Sequence, residues 1–92
     1  AQYSNFGTTI DLAAPGGDNT ADINADGFPD GVLSTCGTDP TGVIEFVYCF
    51  FQGTSMAAPH VAGVVALMNA IYPSLTPGEL DILLANGLIT ED

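Results

Sequence analysis

From Ser55 to Ile71 the chain is apolar on every side at helical spacing, with Met56, Val61, Val64, Val65, Leu67, Met68 and Ile71 going right round. A helix of that kind needs cover on all its faces, so this segment predicts a buried central helix. Ala57, Ala58, Ala62, Gly63 and Ala66 are small and let neighbouring elements come close. Pro59 stands early in the segment, where a missing N–H does least harm. Gly53 turns the chain into Ser55, which opens the predicted helix. A hydroxyl there sits at the positive end of the helix dipole, beside N–H groups without a helical partner. Two readings follow: a nucleophile next to an oxyanion donor, or a serine that simply caps the helix.

The whole string is Gly53-Thr54-Ser55-Met56-Ala57-Ala58-Pro59-His60-Val61-Ala62-Gly63, continued by Val64, Val65, Ala66 and Leu67. It resembles the active-serine segment of the subtilisin-like serine proteases, the subtilases. Upstream, Tyr3-Ser4-Asn5-Phe6-Gly7 and Asp11-Leu12-Ala13-Ala14-Pro15-Gly16 resemble the family's segment before its last core strands.

The resemblance implies an α/β fold, namely the C-terminal portion of a three-layer domain with a mostly parallel sheet. It also implies a serine endopeptidase that cleaves polypeptides through an acyl-enzyme on Ser55, with Gly53, Thr54 and Phe51 at the oxyanion and cleft side. Phe50 and Gln52 would lie near the same leaving-group side.

In this family the triad runs Asp, His, Ser along the chain. Nothing before Ser55 resembles the family's Asp or His segments, and the single histidine, His60, follows Ser55 by five positions. Residues five apart on a helix are rotated away from each other, so His60 is a poor base for Ser55 and reads as structural. Asp11 reads as a structural acid, since the resemblance places it in the segment before the serine. The expectation is a fragment that carries only the nucleophile. Its partner is the remainder of the catalytic domain, with Asp and His, and the fragment is inactive alone. Two alternatives stand beside it: a catalytically degenerate relative, and a non-enzymatic acidic calcium-binding module.

Charge excludes one class of partner. The 92 residues hold no Lys or Arg and 11 acidic residues, for a formal net charge of −11. Phosphate contacts need cations, so nucleic acid is excluded as a partner. Hydrophobic content of 47% is high for so short a chain and suggests surfaces meant to be covered. No breaker-free apolar run of about eighteen residues occurs, so no membrane partner is expected. No signal peptide is visible, which fits a start lying upstream.

The acids gather in one place. In Asp22-Ile23-Asn24-Ala25-Asp26-Gly27-Phe28-Pro29-Asp30, oxygen side chains recur at the spacing of a calcium loop, with glycine at its turn. Asp22, Asn24, Asp26, the Phe28 carbonyl and Asp30 are the candidate ligands. Leu33 stands where an EF-hand has its bidentate glutamate, so a standard EF-hand is ruled out. Asp18 is a further oxygen donor nearby. The competing reading is a flexible acidic surface loop. Calcium, if held, is structural.

Cys36 and Cys49 flank a turn containing Gly and Pro and could face each other across a hairpin. In a secreted protein they form a disulfide, and otherwise they are two buried thiols. Secretion is the expected location.

In order, residues 1–17 predict a core strand segment, with a short strand near Thr9–Ala13 ended by Pro15-Gly16-Gly17. Residues 18–31 are the acidic candidate calcium loop. Residues 32–52 predict a hairpin, with strands at Val32–Cys36 and Val43–Phe51 around a loop from Gly37 to Gly42. Residues 53–71 are the serine turn and helix. Residues 76–87 predict a C-terminal helix, with Thr76 and Glu79 as a capping box, Pro77 at its first position and Gly87 as its stop. The final residues, Leu88 to Asp92, break off without a natural end.

Overall fold

A computed structural model describes residues 1–87, so residues 88–92, where the sequence suggests a continuing chain, lie outside the described residues. The element order is β1 (Val32–Thr38), β2 (Glu45–Phe51), α1 (Thr54–Ile71) and α2 (Pro77–Ala85).

β1 and β2 form an antiparallel hairpin, the only sheet among the described residues. Its register pairs Val32 with Phe51, Ser34 with Cys49, and Cys36 with Val47. Side chains alternate along a strand, so these six share one face, while Leu33, Thr35, Phe46, Tyr48 and Phe50 share the other. A disulfide joins Cys36 to Cys49, as expected, across a Cα–Cα distance of 6.0 Å. On the opposite face Phe50 stacks against Phe28, with ring centroids 6.1 Å apart.

The hairpin turns later than the sequence suggests. Gly37 belongs to β1, and Val43 and Ile44 belong to the loop, where they are exposed. The reason is that Gly42 takes a φ of 82° and turns the chain there, and pairing resumes only at Thr38 with Glu45. Strand propensity in Val43 and Ile44 yields to the turn.

The strand expected near Thr9–Ala13 does not form. A strand is stable only beside a partner; among the described residues this segment pairs with none, and its start is taken up by a turn in which the Ile10 N–H donates to the Gly7 carbonyl. The expected parallel sheet is likewise not seen among the described residues; what is present is a small α/β piece.

Gly53 caps α1 with a φ of 139°, a conformation open to glycine and strained for other residues. Its carbonyl accepts the N–H groups of Met56 and Ala57, at 3.0 and 3.2 Å. The helix therefore begins at Thr54 and not at Ser55. Pro59 sits within its second turn without ending it.

α1 was expected to be buried, yet none of its residues is. One hairpin and one nine-residue helix cannot cover all sides of an 18-residue helix. Its partial cover is an apolar groove of about 320 Å³, where Val61, Val64 and Met68 face Leu12, Leu80 and Leu84. α1 has 18 residues and a mean hydropathy of 1.3, enough by length and composition alone to cross a membrane, as a core helix of a soluble protein also has. The small and branched residues that interleave its polar ones raise the mean without forming an unbroken run.

α2 starts as its sequence predicts. Thr76 Oγ1 accepts the N–H of Glu79 at 3.2 Å, and Pro77 occupies the first helical turn. Asn86 closes the helix, and Gly87, with φ 65°, follows in the left-handed conformation.

Candidate active site

The site is built where β2 runs into α1. Phe51 ends β2, Gln52 and Gly53 make the turn, and Thr54 and Ser55 are the first two residues of α1. Ser55 is thus inside the first turn, and Gly53 is the cap, which removes the reading of Ser55 as a helix-capping serine. The N–H groups of Thr54 and Ser55 open the helix ahead of its first internal hydrogen bonds, which makes this end of the turn a donor for negative charge.

Ser55 is exposed and lines a cavity of about 390 Å³ with Phe51, Val32, Ser34, Met56, Pro59 and His60. The wall opposite the helix is therefore the disulfide-bearing face of the hairpin. Phe51 lines that cavity beside Ser55. Phe50 does not, because strand alternation turns it to the other face, against Phe28. The Gln52 side chain is also turned away from the cavity lining: its Oε1 accepts the N–H of Asn19 at 2.6 Å.

His60 shares the cavity lining, but its Nδ1 donates to the Met56 carbonyl one turn back, at 2.8 Å. That bond ties the ring to its own helix. Among the described residues no hydrogen bond joins His60 to Ser55, in keeping with the structural role read from the helical spacing. Asp11 is exposed and stands apart from the cavity lining.

Residues 16–19 hold the turn from behind. The N–H of Gly53 donates to the Gly16 carbonyl at 2.8 Å, and the Tyr3 hydroxyl donates to the Gly17 carbonyl. Gly16 is the one buried residue among those described. A Cβ there would sit 2.6 Å from the Tyr3 hydroxyl and 2.9 Å from the Gly53 carbonyl. The sequence signals Gly16 and Gly17 only as a strand end. Their role in seating the serine turn depends on residues far away along the chain.

The acidic loop closes on itself. Asp18 and Asp30 form an antiparallel bridge, with the Asp18 N–H donating to the Asp30 carbonyl at 2.9 Å. Asp22 Oδ1 and Oδ2 accept the N–H groups of Asp26 and Gly27, both at 3.1 Å. Asp26 accepts from the Phe28 N–H and from the Asn24 side-chain amide, each at 2.9 Å, and Asp30 from the Ile23 N–H at 2.7 Å. Ala25 and Gly27 take positive φ values of 56° and 88°, which produces the sharp turn expected of Gly27. The donors are all hard oxygens, and each carboxylate keeps lone pairs beyond those given to N–H groups, so the chemistry fits a divalent cation. Among the described residues, though, no three acidic, His or Cys side chains converge as a cluster. At the base of the loop the Thr20 hydroxyl and N–H both donate to Asp18 Oδ1, at 2.6 and 2.9 Å, and hold that carboxyl below its ordinary pKa.

Comparison with known proteins decides the family. The model of the subtilase family matches residues 1–88. The chain belongs to the subtilase family. It is therefore a member of a serine protease family, as the serine segment suggests. Among curated relatives, it is 44% identical over 87 residues to an extracellular protease of Xanthomonas campestris pv. campestris, covering 94% of this chain and 13% of that protein. It is 40% identical to the extracellular basic protease of Dichelobacter nodosus, covering 91% of this chain and 12% of the relative. Fervidolysin of Fervidobacterium pennivorans is 39% identical over 80 residues, 87% of this chain and 10% of its own length. The subtilase chain described here thus spans about an eighth of the length of its first two relatives. No solved structure matches it at a significant level.

Proposed function

We propose that this chain supplies the nucleophile segment of a secreted serine endopeptidase. The observation that carries the reading is the placement of Ser55. It stands exposed in the first turn of α1, behind a positive-φ glycine, and lines a cavity with Phe51. Ser55 Oγ attacks the scissile carbonyl and forms a C–O bond, and the carbonyl oxygen takes up negative charge. The Ser55 N–H stabilises that charge, and the Thr54 hydroxyl lies one residue away to assist. When the tetrahedral adduct collapses, the C–N bond breaks, the amine leaves with a proton, and an acyl-Ser55 ester remains for water to hydrolyse.

The base that takes the Ser55 proton, and the acid that orients it, come from residues outside these 92. Support for this comes from His60, whose Nδ1 is committed to the Met56 carbonyl. By itself the chain is inactive. Phe51 borders the leaving-group side of the cleft. Secretion draws support from the printed names of two relatives, both called extracellular.

A structural calcium ion held by Asp22, Asn24, Asp26, the Phe28 carbonyl and Asp30 belongs to the same proposal. Its support is the all-oxygen donor set and the spacing around Gly27. Bound there, the cation offsets the charge of the acidic loop and stiffens it; no step of the reaction passes through it.

Fluorophosphonate labelling with mapping of the modified residue tests the reading, since the reagent needs an activated serine. Label on Ser55 at the protein's natural length, with none on the 92 residues alone, is the expected pattern. Failure of both to label favours a relative that binds without cleaving.

A further inference from the structure

The residues that precede Ser55 are gripped from one side by a single asparagine. The Asn19 N–H donates to Gln52 Oε1 at 2.6 Å. The Asn19 side-chain amide donates to the Phe50 carbonyl at 3.3 Å. One bond falls on the backbone just before Phe51 and the other on the side chain of Gln52 just after it. Nearby, the backbone at Gly17 approaches the Phe51 carbonyl so closely that a Cβ there would lie 2.9 Å from it. Phe51 is 40% exposed, and its side chain lines the cavity shared with Ser55. A half-exposed aromatic ring at the end of a strand has few neighbours to hold it. Its direction is set by its backbone, which pairs with Val32 across the hairpin and is tied at the preceding residue by the Asn19 amide.

Asn19 is itself placed by two constraints. It follows Asp18, whose bridge to Asp30 closes the acidic loop. Its amide also packs against Gly31, where a Cβ would collide with the Asn19 amide oxygen. The acidic loop and the cleft wall are thereby joined through one side chain.

We propose that Asn19 is a positioning residue for Phe51, and through it sets selectivity for the substrate residue on the leaving-group side of Ser55. The proposal rests on the serine endopeptidase reading. Asn19 touches neither substrate nor reacting atoms. It acts by keeping the Phe51 ring in one direction, so that a large apolar residue after the scissile bond packs against it and a glycine does not. A wall held in place discriminates better than one that moves, because no ordering is left to be done on binding.

The test uses the protein at its natural length and two peptides alike except for Leu or Gly directly after the scissile bond. An anilide substrate without residues on that side serves as the third probe. In Asn19→Ala the Leu-over-Gly ratio of kcat/KM should fall about two- to tenfold, the range that loss of one hydrogen bond allows. The fall should appear mainly in KM for the Leu peptide, while the anilide is cleaved nearly as before. Phe51→Ala should lose the same discrimination, and adding Asn19→Ala to it should lose no more, as coupled residues require. Gly31→Ala, which displaces the Asn19 amide without removing it, should reproduce the effect if Asn19→Ala folds poorly. An unchanged ratio in both variants overturns the proposal. So does an equal loss on all three substrates, which marks a merely structural residue. Fluorophosphonate labelling of the unmutated protein separates the cases: without label on Ser55 the endopeptidase reading fails first.

Discussion

The N–H of Gly53 donates to the carbonyl of Gly16 across 2.8 Å, joining the serine turn to a segment 37 positions earlier in the chain. Gly16 has no room for a side chain at that crossing, because the Tyr3 hydroxyl and the Gly53 carbonyl already occupy it. Gly16→Ala should therefore push the two segments apart. The expected cost is about 1–3 kcal/mol in chemical denaturation, as for an overpacked contact. Labelling of Ser55 should slow in parallel. An alanine variant as stable as the parent would show that the turn is seated by something else.

His60 provides a sharp contrast between two roles. If its bond to the Met56 carbonyl is its main work, His60→Gln slows fluorophosphonate labelling of Ser55 by less than about tenfold, while loss of a general base costs roughly 10²–10⁴. A drop in the larger range would make His60 the base and overturn its assignment to the helix.

The Cys36–Cys49 disulfide crosses the hairpin face that walls the Ser55 cavity. The cysteines are separated by 13 positions, and a closed loop of this size is worth about 3 kcal/mol in the chain-entropy account. Cys36→Ser with Cys49→Ser should lower stability by about that amount and raise hydrogen exchange along β1 and β2. A double variant with unchanged exchange protection would show the hairpin to be held without its crosslink.

Asp18 fixes the pH dependence of the loop base. Its carboxyl is held below its ordinary pKa by the Thr20 hydroxyl and then by the Thr20 N–H. A depressed folded-state pKa means that the contribution is complete above the unfolded value, about 3.9, and is lost as pH falls through the lower folded value. The loop base should stay closed at neutral pH and loosen only in strong acid. A carbon-detected titration of Asp18 should show the low pKa, and Thr20→Val should raise it. An Asp18 that titrates in the ordinary carboxylate range would refute this account.

Calcium is tested by removal. Chelation should lower the melting temperature and increase proteolytic nicking between Asp22 and Asp30, and both should recover on adding calcium back. Asp22→Asn with Asp26→Asn should abolish the response. Magnesium should restore less, since its small octahedral shell suits a loop of mixed donors poorly. A melting temperature indifferent to chelator would leave the loop as an acidic turn closed by its own N–H groups.

Much of this was readable in local sequence. The glycine turn before Ser55, the length of α1 to within one residue, the Thr76 cap of α2 and the Cys36–Cys49 pairing all rest on neighbours a few positions away or on one hairpin. The misplaced features are those that need a partner. The strand near Thr9–Ala13 has the alternation of a strand and nothing beside it. Val43 and Ile44 have strand propensity, but Gly42 puts them in the loop. Ser55 resembles a cap until the φ of Gly53 assigns that place to the glycine.

The sequence by itself determined the family and the nucleophile candidate, because an eleven-residue string around Ser55 is specific and local chemistry places it at a helix start. A charge balance without Lys or Arg argues against phosphate contacts by these 92 residues on the same local terms. Only the tertiary structure decided what holds that serine in place. The Gly16 carbonyl meets the Gly53 amide, and Asn19 meets the Phe50 carbonyl and the Gln52 side chain. Those contacts join residues more than 30 positions apart, and no periodicity or propensity encodes a hydrogen bond whose two ends are brought together by the fold.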